Sequence, residues 1–230
     1  RKTIFLQKRT DPVNRILSSV LTSTMFYTAT TPWWLRMLFP PDLTWSFPTK
    51  EKVLYLTFDD GPTPEITDFV LECLNEYKAK ATFFCIGKNV VENSSIIQRI
   101  QAGGHSIGNH TMNHSNAWKM DYASFLADVE KCEDVFAQQH ITSVGFRPPY
   151  GRITRKMYLE MENVFLWSVL TGDYNASLTS SAILKSVLPL LKPGAVVVMH
   201  DSVKAFPHLQ VILPVILRYC TEQNFVLSAL

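Results

Sequence analysis

The chain has 230 residues, 47% of them apolar and 18% charged, which is ordinary globular usage and excludes global disorder. Nine Gly and thirteen Pro without a fixed period exclude a collagen-like chain, and unbroken apolar runs, of which Ala195 to Met199 is the longest, are too short to span a bilayer. The formal charge is +2, with no basic cluster beyond the first fifteen residues, so no nucleic-acid partner is expected.

The four cysteines, Cys73, Cys85, Cys132 and Cys220, are far apart and form no C-x-x-C pair, so buried thiols are expected rather than a disulfide framework. The sequence opens on Arg1, and no charged, apolar and cleavage segments follow in order. A cytoplasmic location is the expectation, with export after removal of a preceding signal as the alternative. Met25 is a candidate original start, which would make residues 1–24 an added remnant.

Residues 1–50 are expected to form an extension packed on the domain. Ile16, Leu17, Val20, Leu21, Thr24 and Met25 could line one stripe of a short helix, and an aromatic and proline-rich stretch from Thr31 to Pro41 follows. From residue 51 a rhythm of short apolar runs and helical periods begins. Val53 to Phe58 suits a strand; Thr63 can cap a helix with Pro64 at its first position, carried by Ile66, Phe69, Val70, Leu74 and Tyr77. A strand over 81–86, a helix over 89–102 stopped by Gly103 and Gly104, and a weak strand over 105–109 come next. Phe125, Leu126, Val129, Cys132 and Phe136 share one side of a helix over 121–139. Then follow a strand over 144–146, a helix over 153–161, a strand over 164–169 and a helix over 179–191. A strand over 194–199, a helix over 208–223 and a last strand over 225–228 complete the chain.

Such alternation means βα units around a mostly parallel sheet, with strands apolar on both faces because helices cover them. Seven strand candidates suit a barrel-like closure; an open doubly wound sheet is the competing topology. Both keep their chemistry at the C-terminal ends of the strands.

Those ends are where reactive residues collect. The first strand runs into Asp59-Asp60-Gly61-Pro62, two adjacent acids that repel unless a cation neutralises one. Alone, this suits a solvated turn better than a site. After the third strand, His110 and His114 stand four residues apart, a spacing that lets both reach one metal, although single His pairs are often surface or core residues. With a carboxylate from the first strand they would make a facial His-His-Asp set with open positions. His105 is expected to be a satisfied core or turn residue. After the fourth strand, Arg147 can hold a carboxylate, and Pro148 and Pro149 leave Tyr150 with the first backbone N–H. Trp167 and Asp173-Tyr174 follow the fifth strand, and the sixth, through Val198, runs into His200 and Asp201. A histidine ending a buried strand is placed to act as a general acid. Five of the first six strand ends thus deliver titratable or metal-binding groups to one face.

In this order, Thr-Phe-Asp59-Asp60-Gly, His110-x-x-x-His114, Arg147-x-Pro-Tyr150-Gly, Asp173 with an aromatic, and the apolar run into His200 resemble the five motifs of NodB-homology polysaccharide deacetylases, carbohydrate esterase family 4. The resemblance covers about residues 51–230. It implies a distorted (β/α) barrel with about seven parallel strands, and removal of acetyl groups from an acetylated glycan with one divalent metal, most commonly zinc, with cobalt, nickel or manganese as alternatives. By resemblance, Asp60, His110 and His114 match the metal ligands, and Asp59 the base that activates the attacking water. Arg147 matches the residue orienting that base, and the Tyr150 N–H the oxyanion donor. His200 matches the acid, with Asp173 tuning it. Trp167 and Val198 match the walls of the acetyl pocket. Tyr174 stands where Trp is usual, and Val198 where Leu is common, so the departures fall on substrate identity. The implied substrate is a GlcNAc-containing chain of chitin-oligomer or peptidoglycan type. Alternatives are an acetylxylan-type esterase or small cyclic-amide hydrolase on the same site, or a glycan-binding relative without turnover.

Overall fold

Among the described residues, parallel strands alternating with helices build a seven-stranded sheet whose main path runs β4-β3-β2-β1-β6-β5, with β7 pairing β1. The computed structural model describes residues 29, 30, 39 and 43–230. The helix expected over residues 16–25, and most of the aromatic stretch from Thr31 to Pro41, lie outside the described residues.

The strands are β1 Val53–Asp59, β2 Ala81–Cys85, β3 Ser106–Asn109, β4 Ser143–Phe146, β5 Val169–Leu170, β6 Val196–His200 and β7 Val226–Leu227. The helices are α1 Ile66–Glu76, α2 Gly87–Glu92, α3 Ser94–Ala102, α4 Tyr122–Gln138, α5 Arg155–Tyr158, α6 Ser180–Val187 and α7 Phe206–Glu222. Side chains alternate along each strand. On β1, Leu54, Leu56 and Phe58 therefore join the core under the helices, together with Val70, Ile97 and Leu213. Thr57 and Asp59 take the opposite face, where both meet Arg147.

The two ends of the sheet path are brought together. Phe146 at the end of β4 forms a parallel bridge with Val164, in the segment that leads into β5, and β5 pairs β6. The sheet is thus a distorted barrel rather than an open doubly wound sheet. Its closing segment is interrupted: the strand expected over 164–169 narrows to Val169–Leu170. The carbonyls of Phe165 and Leu166 are taken by the Arg147 side chain (Nε at 3.4 Å and an Nη at 3.1 Å). A guanidinium there competes with the ladder for the backbone acceptors.

Other differences have local causes. The helix expected over 89–102 is split at Asn93 (φ −130°, ψ 44°), whose backbone N–H and side-chain amide both donate to Asn89 O at 3.0 Å, closing the first helix there. Thr63 does not cap α1; its N–H donates to Thr67 Oγ1 at 2.8 Å, and Glu65 occupies the cap position at φ 65°. The helix over 179–191 ends at Val187 and passes into a 3-10 turn, Leu188–Leu190, where Pro189 has no N–H to give. The helix over 153–161 is only one turn. By contrast α4 buries Phe125, Val129, Cys132 and Phe136 as its spacing predicts, and starts at Asp121, which accepts from Ser124 N at 3.0 Å.

Residues 44–47 run against the barrel: Thr44 bridges Phe165, Ser46 bridges Ala195, and Phe47 N donates to Gly194 O at 2.8 Å. Gly194 holds φ 77°, and a Cβ there would sit 1.8 Å from Phe47 O. Gly194→Ala is therefore expected to lower stability by roughly 2–4 kcal/mol, through backbone strain and a steric clash. The checking measurement is the midpoint of urea unfolding at unchanged m-value.

Candidate active site

The C-terminal mouth of the barrel opens into a cleft of about 550 Å³. Asp59, Asp60, His110, His114, Tyr150, Trp167, Tyr174, Val198 and His200 all line it. Of the predicted site residues, Arg147 and Asp173 lie behind this wall, fully buried. All the residues singled out at the strand ends are thus brought to one place.

Asp60 sits where β1 turns, at φ 82°, with its carbonyl accepting from Asn89 Nδ2 at 2.7 Å. Two residues that the motifs did not assign hold this turn. Asp201 Oδ1 accepts from Gly61 N at 3.0 Å, and Oδ2 accepts from the Thr67 hydroxyl at 2.6 Å. Position 61 must be glycine, since a Cβ would fall 2.0 Å from Asp201 Oδ2. Burial pushes the Asp201 carboxyl up; Thr67 works against it, Asp60 adds to it, and the result is about 7.

His110 follows β3, and its Nδ1 lies 2.7 Å from Arg147 O. A carbonyl only accepts, so Nδ1 carries the proton and Nε2 presents its lone pair. Burial lowers the pKa of His110 to about 4, so the ring is neutral at physiological pH. His114 is delivered by a loop with left-handed Thr111 and His114 (φ 65° and 57°). Asp128, buried on α4, fastens that loop by accepting from Asn113 N at 3.2 Å and Asn113 Nδ2 at 2.6 Å. Asn109 adds a bond from Thr111 N at 2.7 Å.

Asp60 Oδ1 lies 3.7 Å from His110 Nε2 and 3.2 Å from His114 Nε2. The oxygen is buried and accepts no hydrogen bond. One ligand atom from each of Asp60, His110 and His114 falls within 4.8 Å of the others. An imidazole lone pair facing a carboxylate oxygen is repulsive, and a cation between them removes the repulsion. The donor set fits one divalent ion of borderline softness with open positions left over.

Asp59 is held from behind. Arg147 Nη1 donates to its Oδ1 at 2.7 Å and to Thr57 Oγ1 at 2.7 Å. The guanidinium also stacks on Phe84 at 4.0 Å. Across the cleft, His200 Nδ1 lies 2.7 Å from Asp173 Oδ1, and His200 N donates to Asp173 Oδ2 at 2.8 Å. Burial alone would lower the pKa of His200; Asp173, aided by Asp60 and Asp59, overrides it and brings it up to about 9.

His105 is a packing residue: its Nδ1 accepts from Ala81 N at 3.2 Å, and burial lowers its pKa to about 4. The cysteines are all reduced, and burial raises the pKa of Cys85, Cys132 and Cys220. Among the described residues, no helix is long and apolar enough to cross a membrane.

Two imidazoles and a carboxylate at the mouth of a parallel barrel, with a second acid and a carboxylate-paired histidine alongside, define a cation-assisted hydrolase site. The family model for polysaccharide deacetylase matches residues 47–164. A peptidoglycan-N-acetylglucosamine deacetylase of Bacillus cereus is 34% identical over 165 residues, covering 70% of this chain and 78% of the relative. A chitooligosaccharide deacetylase of Azorhizobium caulinodans is 34% identical over 162 residues, covering 65% and 73%. The chain spans only 32% of the PgdA deacetylase of Listeria monocytogenes, which is also 34% identical over the matched part. The crystal structure of the Bc1960 peptidoglycan N-acetylglucosamine deacetylase superposes with a TM-score of 0.76 at 27% identity, covering 87% of this chain and 95% of that one. This chain belongs to the polysaccharide deacetylase family.

The environment of Asp201 has a consequence for stability. A carboxyl whose folded pKa is raised from 3.8 to about 7 binds its proton more tightly folded than unfolded. Its contribution is complete below 3.8 and is lost as pH rises through about 7. Asp201→Asn is expected to flatten the fall in stability of the metal-free protein over that window, measured by urea unfolding at a series of pH values.

Proposed function

We propose that this protein hydrolyses N-acetyl groups of a GlcNAc-containing glycan, of peptidoglycan or chitin-oligomer type, with zinc held by Asp60, His110 and His114. The observation that carries the reading is the placement of Asp59, clamped by Arg147, beside that triad and across the cleft from the Asp173-paired His200.

A bound divalent cation would lower the pKa of water and polarise the acetyl carbonyl. The remaining work falls to the chain. Arg147 occupies Asp59 Oδ1, so the other carboxylate oxygen is left to take the proton from the attacking water. Tyr150, at φ 62°, follows two prolines and offers its N–H to the developing oxyanion. An amide nitrogen leaves only when protonated. His200 keeps its proton at neutral pH because Asp173 holds Nδ1, and Nε2 delivers it to the amine. Val198 and Trp167 wall the space for the acetyl methyl.

The test is acetate release from peptidoglycan, acetylated chito-oligomers and acetylxylan, with and without chelator. Release from the amino-sugar substrates that stops on chelation is expected; release from xylan alone would replace the amidase reading with an esterase one. Asp59→Asn should lower kcat by about 10²–10⁴ while the protein retains its cation, as removal of a general base does.

Asp173→Asn removes the charge that raises His200 and leaves burial to pull it down. The acid form is then lost at lower pH. The alkaline limb of the kcat/KM profile is expected to move down by about 1–2 pH units.

A further inference from the structure

Two cations stand on the cleft walls without a role in the reaction above. Arg152 and Lys204 both line the cleft. Each sits on an aromatic ring that packs against a site histidine. On one wall the Arg152 guanidinium lies 5.7 Å from the centroid of Tyr150, whose ring is 4.6 Å from that of His114. On the other, Lys204 Nζ lies 5.5 Å from the centroid of Tyr174, whose ring is 5.1 Å from that of His200.

The charges of the inner site are already matched. Asp59 is paired with Arg147, Asp173 with His200, and Asp60 belongs with the two imidazoles to the cation-binding triad. Arg152 and Lys204 are not: among the described residues neither has a carboxylate within ion-pair distance. Arg152 Nε is buried and has no hydrogen-bond partner. Its guanidinium carbon lies over the Trp118 ring, 4.7 Å from the centroid. A guanidinium held between two rings keeps a planar fork of N–H donors at its terminal Nη atoms, which suits bidentate capture of a carboxylate. Lys204, exposed at the rim, supplies a point charge that attracts an anion over a distance of about a Debye length.

We propose that Arg152 and Lys204 make this cleft selective for acetylated glycans that carry a carboxylate on a sugar next to the one being deacetylated, Arg152 binding that carboxylate and Lys204 drawing the chain in. The inference rests on the deacetylase reading and names its substrate class. A neutral chito-oligomer would leave the Arg152 donors unmatched by charge.

The experiment compares peptidoglycan glycan strands bearing free lactyl carboxylates, the same strands as methyl esters, and neutral chito-oligomers of matched length. Wild type is expected to favour the free acid over the ester in kcat/KM. Arg152→Gln should reduce that preference about 10–100-fold, through KM, as loss of a charge-assisted hydrogen bond does. Arg152→Lys, which keeps charge but not the fork, should recover only part of it. Lys204→Gln should flatten the salt dependence of kcat/KM on the free acid. Equal turnover of acid and ester by wild type, or equal losses on acid and ester in Arg152→Gln, would overturn the proposal. If wild type released no acetate from any substrate, the deacetylase reading would fall. The selectivity would then be decided by calorimetric titration of wild type with the same strands, where equal affinity for acid and ester refutes it.

Discussion

The guanidinium of Arg147 has no access to solvent, yet it ties Asp59 at the cleft to the segment that closes the barrel. Its donors reach Thr57 and Asp59 on β1 and the carbonyls of Phe165 and Leu166 on the closing segment, and its face rests on Phe84 from β2. Its own carbonyl fixes the tautomer of His110. An isolated buried cation is costly, and this one is tolerable because a carboxylate and three neutral acceptors surround it. The same bonds hold the barrel shut and orient Asp59, so the fold and the geometry of the cleft draw on one network. A barrel interior filled only with valine and leucine would close with regular strands, but it would present no oriented Asp59.

Around that centre, each reactive group is held by a partner further back. Asp201 and Asn89 hold the turn of Asp60, Asp128 and Asn109 hold the loop of His114, and Asp173 holds the ring of His200. These supports come from several elements, which is what keeps a site rigid within a few tenths of an ångström. The cleft therefore sets its polar groups between aromatic and aliphatic walls and is cross-braced beneath them.

Much of this was legible from the residues. Apolar strand runs alternating with helical periods identify the βα units, and Asp59, Asp60, His110, His114, Arg147 and His200 announce themselves as polar groups at strand ends. Of the supports, Asp173 was legible through the family resemblance and the others were not. Asp201 is adjacent to His200 in sequence, but only the three-dimensional turn brings it to Gly61. Asp128 lies on the apolar side of α4, where a single acid looks like an interruption of the stripe. Arg152 and Lys204 look like ordinary surface cations until Tyr150 and Tyr174 place them on opposite walls. The broken strand before β5 was hidden for a related reason: Val164 to Trp167 has strand composition, and the Arg147 side chain, just past β4, takes the carbonyls that the ladder would use.

Four of the residues that shape the mouth, Asp60, Thr111, His114 and Tyr150, hold left-handed backbone without being glycine. Each such residue costs about 1–3 kcal/mol, and the loops that contain them are stiff because the surrounding hydrogen bonds enforce the conformation. The expense is met once, when the chain acquires its tertiary structure. The empty and cation-loaded mouths should then differ little in shape, and capture of the ion need not be accompanied by ordering of a loop. Drift at these four positions is constrained from two directions. Glycine would relax the backbone but remove the functional side chain, and a β-branched residue would keep a side chain while making the backbone harder to hold.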